Sequence, residues 1–312
     1  MRGGRRRAKL AFMALSVALL GVKGGVGKTT TAVNLAGLAA MGGLRALVWD
    51  LDPQGAASFA LGFDKLGRSA ARHLTSKRPD LSEAIFRTTT PGLDLIPADV
   101  SLRTLDLALA QRRRPKKKIG DALATIDEHY DAVFIDCPPG ITLANESAMR
   151  AAHVYLSPIM PSSLATRAFD QLVAYVDETP KATGQLFGFL SMVDRRKRAH
   201  RELLEALPNR NTRILRASIP TSAAIENSPQ SREPFVAGRR ASPAAIAYRN
   251  LWTEVQTRAL ARHKSRSGTS TPVPQIQPAQ RTPDRVLDLT KTDSDAVRLR
   301  SSTPSARGGE GN

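Results

Sequence analysis

Short apolar runs bounded by turn residues alternate along this chain with longer stretches in which apolar side chains return every three or four positions. The runs fall at 15–20, 45–49, 93–96, 132–135, 154–159, 186–193 and 213–219. Most are continuous rather than alternating, the pattern of a strand buried on both faces of a parallel sheet. Helical spacing marks 30–41, 101–111, 119–128, 144–151, 164–176 and 198–207 between them. Strands and helices in turn predict an α/β fold: a doubly wound, mostly parallel sheet with helices on both faces, in a single domain. A last helix, from 243 to about 263, offers Ala247, Leu251, Trp252, Val255 and Leu260 for packing back onto it. No internal repeat is visible.

The ends differ from this middle. Residues 1–12 read as a basic extension, with Arg5, Arg6 and Arg7 ahead of an apolar stretch that imitates a signal peptide. That stretch runs straight into a glycine-rich loop with no small-x-small cleavage site, and cleavage would destroy the first strand, so it is read as no signal peptide, with an early start codon ahead of Met13 one origin for the extension. The folded domain is placed at 13–263. From 264 to 312 the composition turns to Ser, Thr, Pro, Gln, Arg and Gly. Such a tail buries too little apolar area to offset its chain entropy and is expected to be disordered, its small apolar clusters at 284–291 and 296–300 being incidental or, as the alternative, a short partner-binding motif. No stretch approaches the length of a membrane span, so no stable membrane insertion is expected. The one cysteine, Cys137, excludes a disulfide framework and a multi-cysteine metal site and suits a reducing cytoplasm. A net charge of +18 favours a polyanionic partner.

The chemistry concentrates where apolar runs end. After the first strand, residues 21–29 read Gly-Val-Lys-Gly-Gly-Val-Gly-Lys-Thr, in which Gly27, Lys28 and Thr29 take the last three places of a phosphate-binding loop. Gly24, Gly25 and Gly27 let backbone N–H groups turn toward a phosphate at the positive end of the helix that follows. Lys28 neutralises the outer phosphates and the Thr29 hydroxyl is a ligand for Mg²⁺. The second strand ends in Asp50-Leu51-Asp52-Pro53-Gln54-Gly55, a carboxylate at the crevice where such sheets hold nucleotide. The run at 132–135 ends in Asp136, followed by Cys137-Pro138-Pro139-Gly140; a lone aspartate there holds the metal through a water and the turn answers to the γ-phosphate.

With Lys23 at its start the loop reads KGGVGKT, and it resembles the deviant Walker A ATPases of the ParA/MinD superfamily. The DLDPQG and DCPPG segments match the same family in order and spacing. So do 156–163 and 219–226, and the likeness covers about 17–262. The resemblance implies ATP as the nucleotide, held by Lys23, Gly24, Gly25, Val26, Gly27, Lys28, Thr29 and Thr30. It implies an ATP-dependent homodimer in which Lys23 reaches across to the partner's nucleotide and Asp52, in the first switch, orients the attacking water. Lys23, Lys28 and Asp52 are then the catalytic set, and Thr29 and Asp136 the metal ligands. Iron–sulfur reductases that share the loop would need cysteine ligands that are lacking here.

Some family members carry DNA-binding arginines after an Ile-Pro pair, where this chain has Thr221, Ser222, Ala223 and Ala224. Basic residues elsewhere take their place in the reading: Arg195, Arg196, Arg198 and Arg201 as DNA contacts, with 112–118 a second run that serves DNA or forms a solvated positive face. Lys and Arg without interleaved aromatics suit sequence-independent phosphate contact. The expected function is an ATPase that binds DNA non-specifically as a dimer and positions or segregates it through hydrolysis stimulated by a centromere-binding or adaptor protein. It is expected to be cytoplasmic and nucleoid-associated in its ATP state, with slow basal, Mg²⁺-dependent turnover. A protein cargo, or a MinD-like regulator at a membrane, is the alternative.

Overall fold

The computed structural model describes residues 14–64, 70–76 and 80–267; side chains at 70, 71 and from 260 onward are outside that description. The described residues form one eight-stranded sheet in the order β3-β4-β2-β5-β1-β6-β7-β8. Its strands are β1 Leu15–Leu19, β2 Ala46–Asp50, β3 Phe86–Arg87, β4 Leu93–Ile96, β5 Ala132–Asp136, β6 Val154–Ile159, β7 Gln185–Val193 and β8 Ile214–Pro220. All neighbours are parallel except β3, which runs antiparallel to β4 at the edge. The order reverses about β1, the strand that leads into the phosphate loop. Its C-terminal end therefore opens onto the crevice that a doubly wound sheet offers a ligand.

The helices are α1 Lys28–Met41, α2 Ala56–Ala60, α3 Ala70–Thr75, α4 Leu105–Ala110, α5 Lys118–Leu123, α6 Leu143–Ala151, α7 Ser163–Glu178, α8 Arg198–Arg210, α9 Ala223–Glu226, α10 Phe235–Gly238 and α11 Pro243–Ser267. They form two layers, and the strands explain why. In β2, Leu47 and Trp49 join one core while Ala46 and Val48 join the other; in β5, Val133 and Ile135 part in the same way from Ala132 and Phe134. Successive side chains point to opposite faces, so a strand covered on both sides must be apolar throughout. One face carries Leu105, Ile119, Ala148 and Phe169 from α4 to α7. The other carries Leu35 and Ala36 of α1 and Tyr248, Leu251 and Trp252 of α11, whose indole ring lies 5.6 Å from Phe134.

Several boundaries differ from the expectation. The predicted helix over 101–111 is a 3-10 turn, Val100–Thr104, running into α4; the Asp99 carboxylate caps it by accepting from the Ser101 N–H at 2.7 Å. The predicted helix over 119–128 stops at Leu123, and a second 3-10 turn takes Asp127–His129. Strand β3 was not anticipated, being two residues long with no periodicity to read. The last helix continues to Ser267, four residues into the predicted tail. The basic extension at 1–12 and the remainder of the tail lie outside the described residues.

Candidate nucleotide site

Loop 21–27 turns between β1 and α1 with Gly25 at φ 70° and Gly27 at φ 100°. Both angles belong to the left-handed region that side chains avoid. A Cβ on Gly27 would also stand 3.1 Å from the Ser191 hydroxyl, so the end of β7 presses on the loop from behind. Nothing stands within 4 Å of the Cβ positions of Gly24 and Gly25, which face open space. Helix α1 begins at Lys28 with no side-chain cap and no acidic residue in its first turn. Its leading N–H groups and the positive end of its dipole are left for an anion.

Lys28 is buried, and its ammonium donates to the Lys23 carbonyl oxygen at 3.2 Å. Burial lowers its pKa; Asp136, Cys137 and Asp52 counter that as nearby negative charges. Asp136 ends β5 in register with Leu19 of β1 and Asp50 of β2. It is wholly buried, and neither carboxylate oxygen has a hydrogen-bond partner among the described residues. Its pKa is raised by burial first and by the Asp50 charge second; the Thr29 hydroxyl favours the anion without closing a hydrogen bond. Unpaired carboxylate oxygens in a dry site are costly, and proteins that keep them usually supply a cation. Thr29 and Asp136 beside a phosphate cradle are the sparse oxygen set that suits Mg²⁺, which keeps most of its waters.

The neighbouring aspartates do different work. Asp50 is fully buried and accepts from the Ser58 N–H at 2.8 Å and the Ser58 hydroxyl at 2.7 Å, and that hydroxyl accepts from the Ala98 N–H at 2.8 Å. Burial raises its pKa to about 6, against the pull of the Ser58 bonds. Asp50 thus ties the start of α2 to the sheet. Asp52 is half-buried and folds the turn that follows, accepting from the Gln54 N–H at 3.0 Å while its own N–H donates to Asp50 at 3.2 Å. At the far end of α2 the Arg232 guanidinium stacks 3.9 Å from the Phe59 ring and pairs with Asp64 at 2.6 Å. The Pro138–Gly140 turn is fastened as well: Asn145 donates to the carbonyls of Pro138 at 3.0 Å and Gly140 at 2.8 Å, and the Gly140 N–H donates to Gly21 at 3.1 Å.

These parts border an open cleft of about 540 Å³ lined by Gly24, Gly25, Gly27, Lys28, Thr29, Thr30, Asp52, Pro53, Gln54, Ala56, Pro138, Pro139 and Met192. The volume lies in the range of small-molecule sites. Lys23 and Val26 do not line it. Both border a narrow crevice beside Met160 and Phe169, with Val26 buried and Lys23 exposed, so from these two the cleft receives main chain at most. Met192, with φ at 57° in an irregular stretch of β7, was missed in the sequence; one methionine inside an apolar run carries no signal of a kinked strand.

The arginines read as DNA contacts are far more exposed and differently engaged. Arg196 holds Asp194 through two nitrogens, at 3.0 and 2.9 Å, and depresses that carboxyl to about 2. Arg198 pairs with Glu202 at 2.7 Å. Arg201 donates to the carbonyls of Arg195 and Arg196 at 2.9 and 3.0 Å, closing the loop that opens α8.

Fold, loop and orphaned carboxylate together define a P-loop nucleotide-binding protein. Residues 15–187 match the family model described as AAA domain. The chain is 31% identical over 251 residues to a chromosome partitioning protein ParA of Caulobacter vibrioides, spanning 78% of this chain and 94% of that protein. It is 29% identical to the sporulation initiation inhibitor protein Soj of Bacillus subtilis, across 77% of this chain and 97% of that one. Among solved structures it is similar to cobyrinic acid a,c-diamide synthase of Mycobacterium smegmatis with bound ATP analog and magnesium (TM-score 0.66, 29% identity, 83% of this chain and 98% of that chain). The chain belongs to the ParA/MinD superfamily of P-loop ATPases, on the side of the ParA-type partition and positioning proteins.

Proposed function

We propose that the protein is an Mg²⁺-dependent ATPase that dimerises on ATP, binds duplex DNA without sequence preference as the dimer, and positions or segregates DNA as a partner protein stimulates its otherwise slow hydrolysis. The observation that carries the reading is the placement of the two loop lysines. Lys28 is buried at the phosphate cleft, whereas Lys23, only five residues earlier in the chain, leaves it and stands exposed near Met160. A lysine turned away from its own phosphates suits one that serves a second subunit. Met160, exposed beside it, offers an apolar part of such a contact.

In this reading the loop N–H groups and Lys28 hold the phosphates, and Asp52 orients the attacking water from the rim. Thr29 and Asp136 hold Mg²⁺, which when bound neutralises charge on the outer phosphates. The Pro138–Gly140 turn, pinned by Asn145 and by Gly21, changes with the γ-phosphate and carries that change toward α6. The protein acts in the cytoplasm, with a folded domain at 13–263 as the acting part.

Sedimentation with ATP and Lys23→Ala tests the dimer. The variant is expected to bind ATP as wild type does and to stay monomeric; an unchanged dimer fraction would remove the role in trans. Gel shifts on duplexes of unrelated sequence test the DNA step. Binding only with ATP is expected, and none from wild type with ATP would move the reading to a protein or membrane scaffold.

A further inference from the structure

One surface outside the cleft combines exposed apolar and unpaired basic side chains. The turn Val100–Thr104 and α4 form a single amphipathic unit, with Leu102, Leu105 and Leu109 buried in the core. On the other side Val100, Arg103, Thr104, Leu107, Ala110 and Gln111 follow helical spacing, and all are exposed. Leu107 is 70% exposed and Val100 58%, at or near the top of the range for large apolar residues in the described part of the molecule. The Asp106 carboxylate accepts from the N–H groups of Leu143 and Ala144 at 3.1 and 3.0 Å, so the unit is braced against the start of α6. Exposed Ile141 is two residues from that contact, and Gly140, bonded to the phosphate loop, is next to it.

The charges on this surface are of one sign. Arg112, Arg113, Arg114 and Lys117 follow α4 and are exposed, as is Arg103 on the stripe itself. None of the five has an ion-pair partner among the described residues, whereas Lys116 between them is taken by Glu146 at 2.6 Å. Arginines that find no carboxylate on their own chain are complementary to one on another. A phosphate backbone would satisfy the charges but leave Leu107 and Val100 in water, and exposed apolar side chains set among charges are the signature of protein recognition.

We propose that this stripe docks an acidic amphipathic helix of a partner protein, its apolar face on Val100 and Leu107 and its carboxylates on Arg103, Arg112, Arg113, Arg114 and Lys117. In the helix-in-groove mode the docking helix supplies the apolar anchors three, four and seven residues apart, and here they meet exposed Val100 and Leu107. Docking there presses on the α4–α6 brace and through it on the Pro138–Gly140 turn. That last effect rests on the reading of the chain as a partner-stimulated ATPase; the docking does not.

The full chain is titrated into a short fluorescein-labelled peptide with Glu and Leu at helical spacing, read by anisotropy beside two controls, one with Lys for Glu and one with Ser for Leu. The acidic apolar peptide is expected to bind about tenfold more tightly than either control, and Leu107→Glu and Arg113→Glu each to weaken it about tenfold. Both sites are exposed, so the variants should fold, and binding of a fluorescent ATP analogue should be unchanged in them. Equal binding of the three peptides, or wild-type affinity in both variants, overturns the proposal. Loss of duplex binding in Arg113→Glu with peptide binding intact overturns it in favour of nucleic acid. Failure of wild type to bind the ATP analogue would remove the ATPase reading and leave the peptide result standing.

Discussion

The phosphate cleft and the 195–201 loop are both rich in charge, and they handle it in opposite ways. In the cleft Lys28 and Asp136 are buried, and neither carboxylate oxygen has a hydrogen-bond partner among the described residues. In the loop the arginines stand in solvent, yet Arg196 and Arg198 already hold acidic neighbours and Arg201 caps main-chain carbonyls. Burial makes a few unmatched charges strong and specific; exposure with local pairing makes many charges weak. The number of arginines in a segment therefore overstates its pull on DNA, and the number of charges in the cleft understates its pull on a nucleotide.

The largest test of that contrast is Lys28→Ala. Removing one partner of a buried charged contact costs about 3 kcal/mol, so ATP affinity should fall roughly 100-fold in calorimetry. Asp52→Ala should lower turnover by about 100-fold, the usual weight of a residue that handles the attacking water, with ATP binding kept and the dimer accumulating. Normal turnover in the presence of a stimulating partner would make Asp52 a turn residue only. Asp136→Asn should shift the melting temperature of the nucleotide-free protein by only a few degrees, because relief from burying the carboxylate is offset by loss of the main negative charge beside buried Lys28. The same variant should lose the added stability that wild type gains from Mg²⁺ with ATP.

The smallest effect belongs to the loop. Each phosphate neutralised lowers log affinity by about 0.9 per unit of log salt, so three free arginines would move that slope by nearly 3. Replacing Arg195, Arg196 and Arg198 together by Ala should move it by about 1, because two of the three are occupied by Asp194 and Glu202. A full change of about 3 would mean that both ion pairs open on DNA.

What could be read from the sequence follows the same line. Lys28, Thr29, Asp52 and Asp136 sit where an apolar run gives way to a turn, and in a parallel sheet such ends converge on one crevice. Their positions needed no knowledge of distant contacts. The anchoring of Asp50 by Ser58, and of Ser58 by Ala98 forty residues on, depends on which loops the fold stacks together, and no local pattern announces it. Met192 enters the cleft through a kink in β7, and β3 is too short for any period. The pairing of Arg198 with Glu202 was there to be read at four-residue helical spacing, and that of Arg196 with Asp194 two residues away. Counting positive charges without their neighbours hid both.

The unpartnered carboxylate of Asp136 also bears on how long the protein lasts. Nucleotide with its cation binds the folded state and not the unfolded chain, so at a concentration 100 times its Kd it adds about 2.7 kcal/mol to the fold. A chain just emptied of nucleotide is for that interval a less stable protein, opened more often to proteases and chaperones. Loading with nucleotide is in that sense also protection, since a bound copy unfolds less often than an empty one.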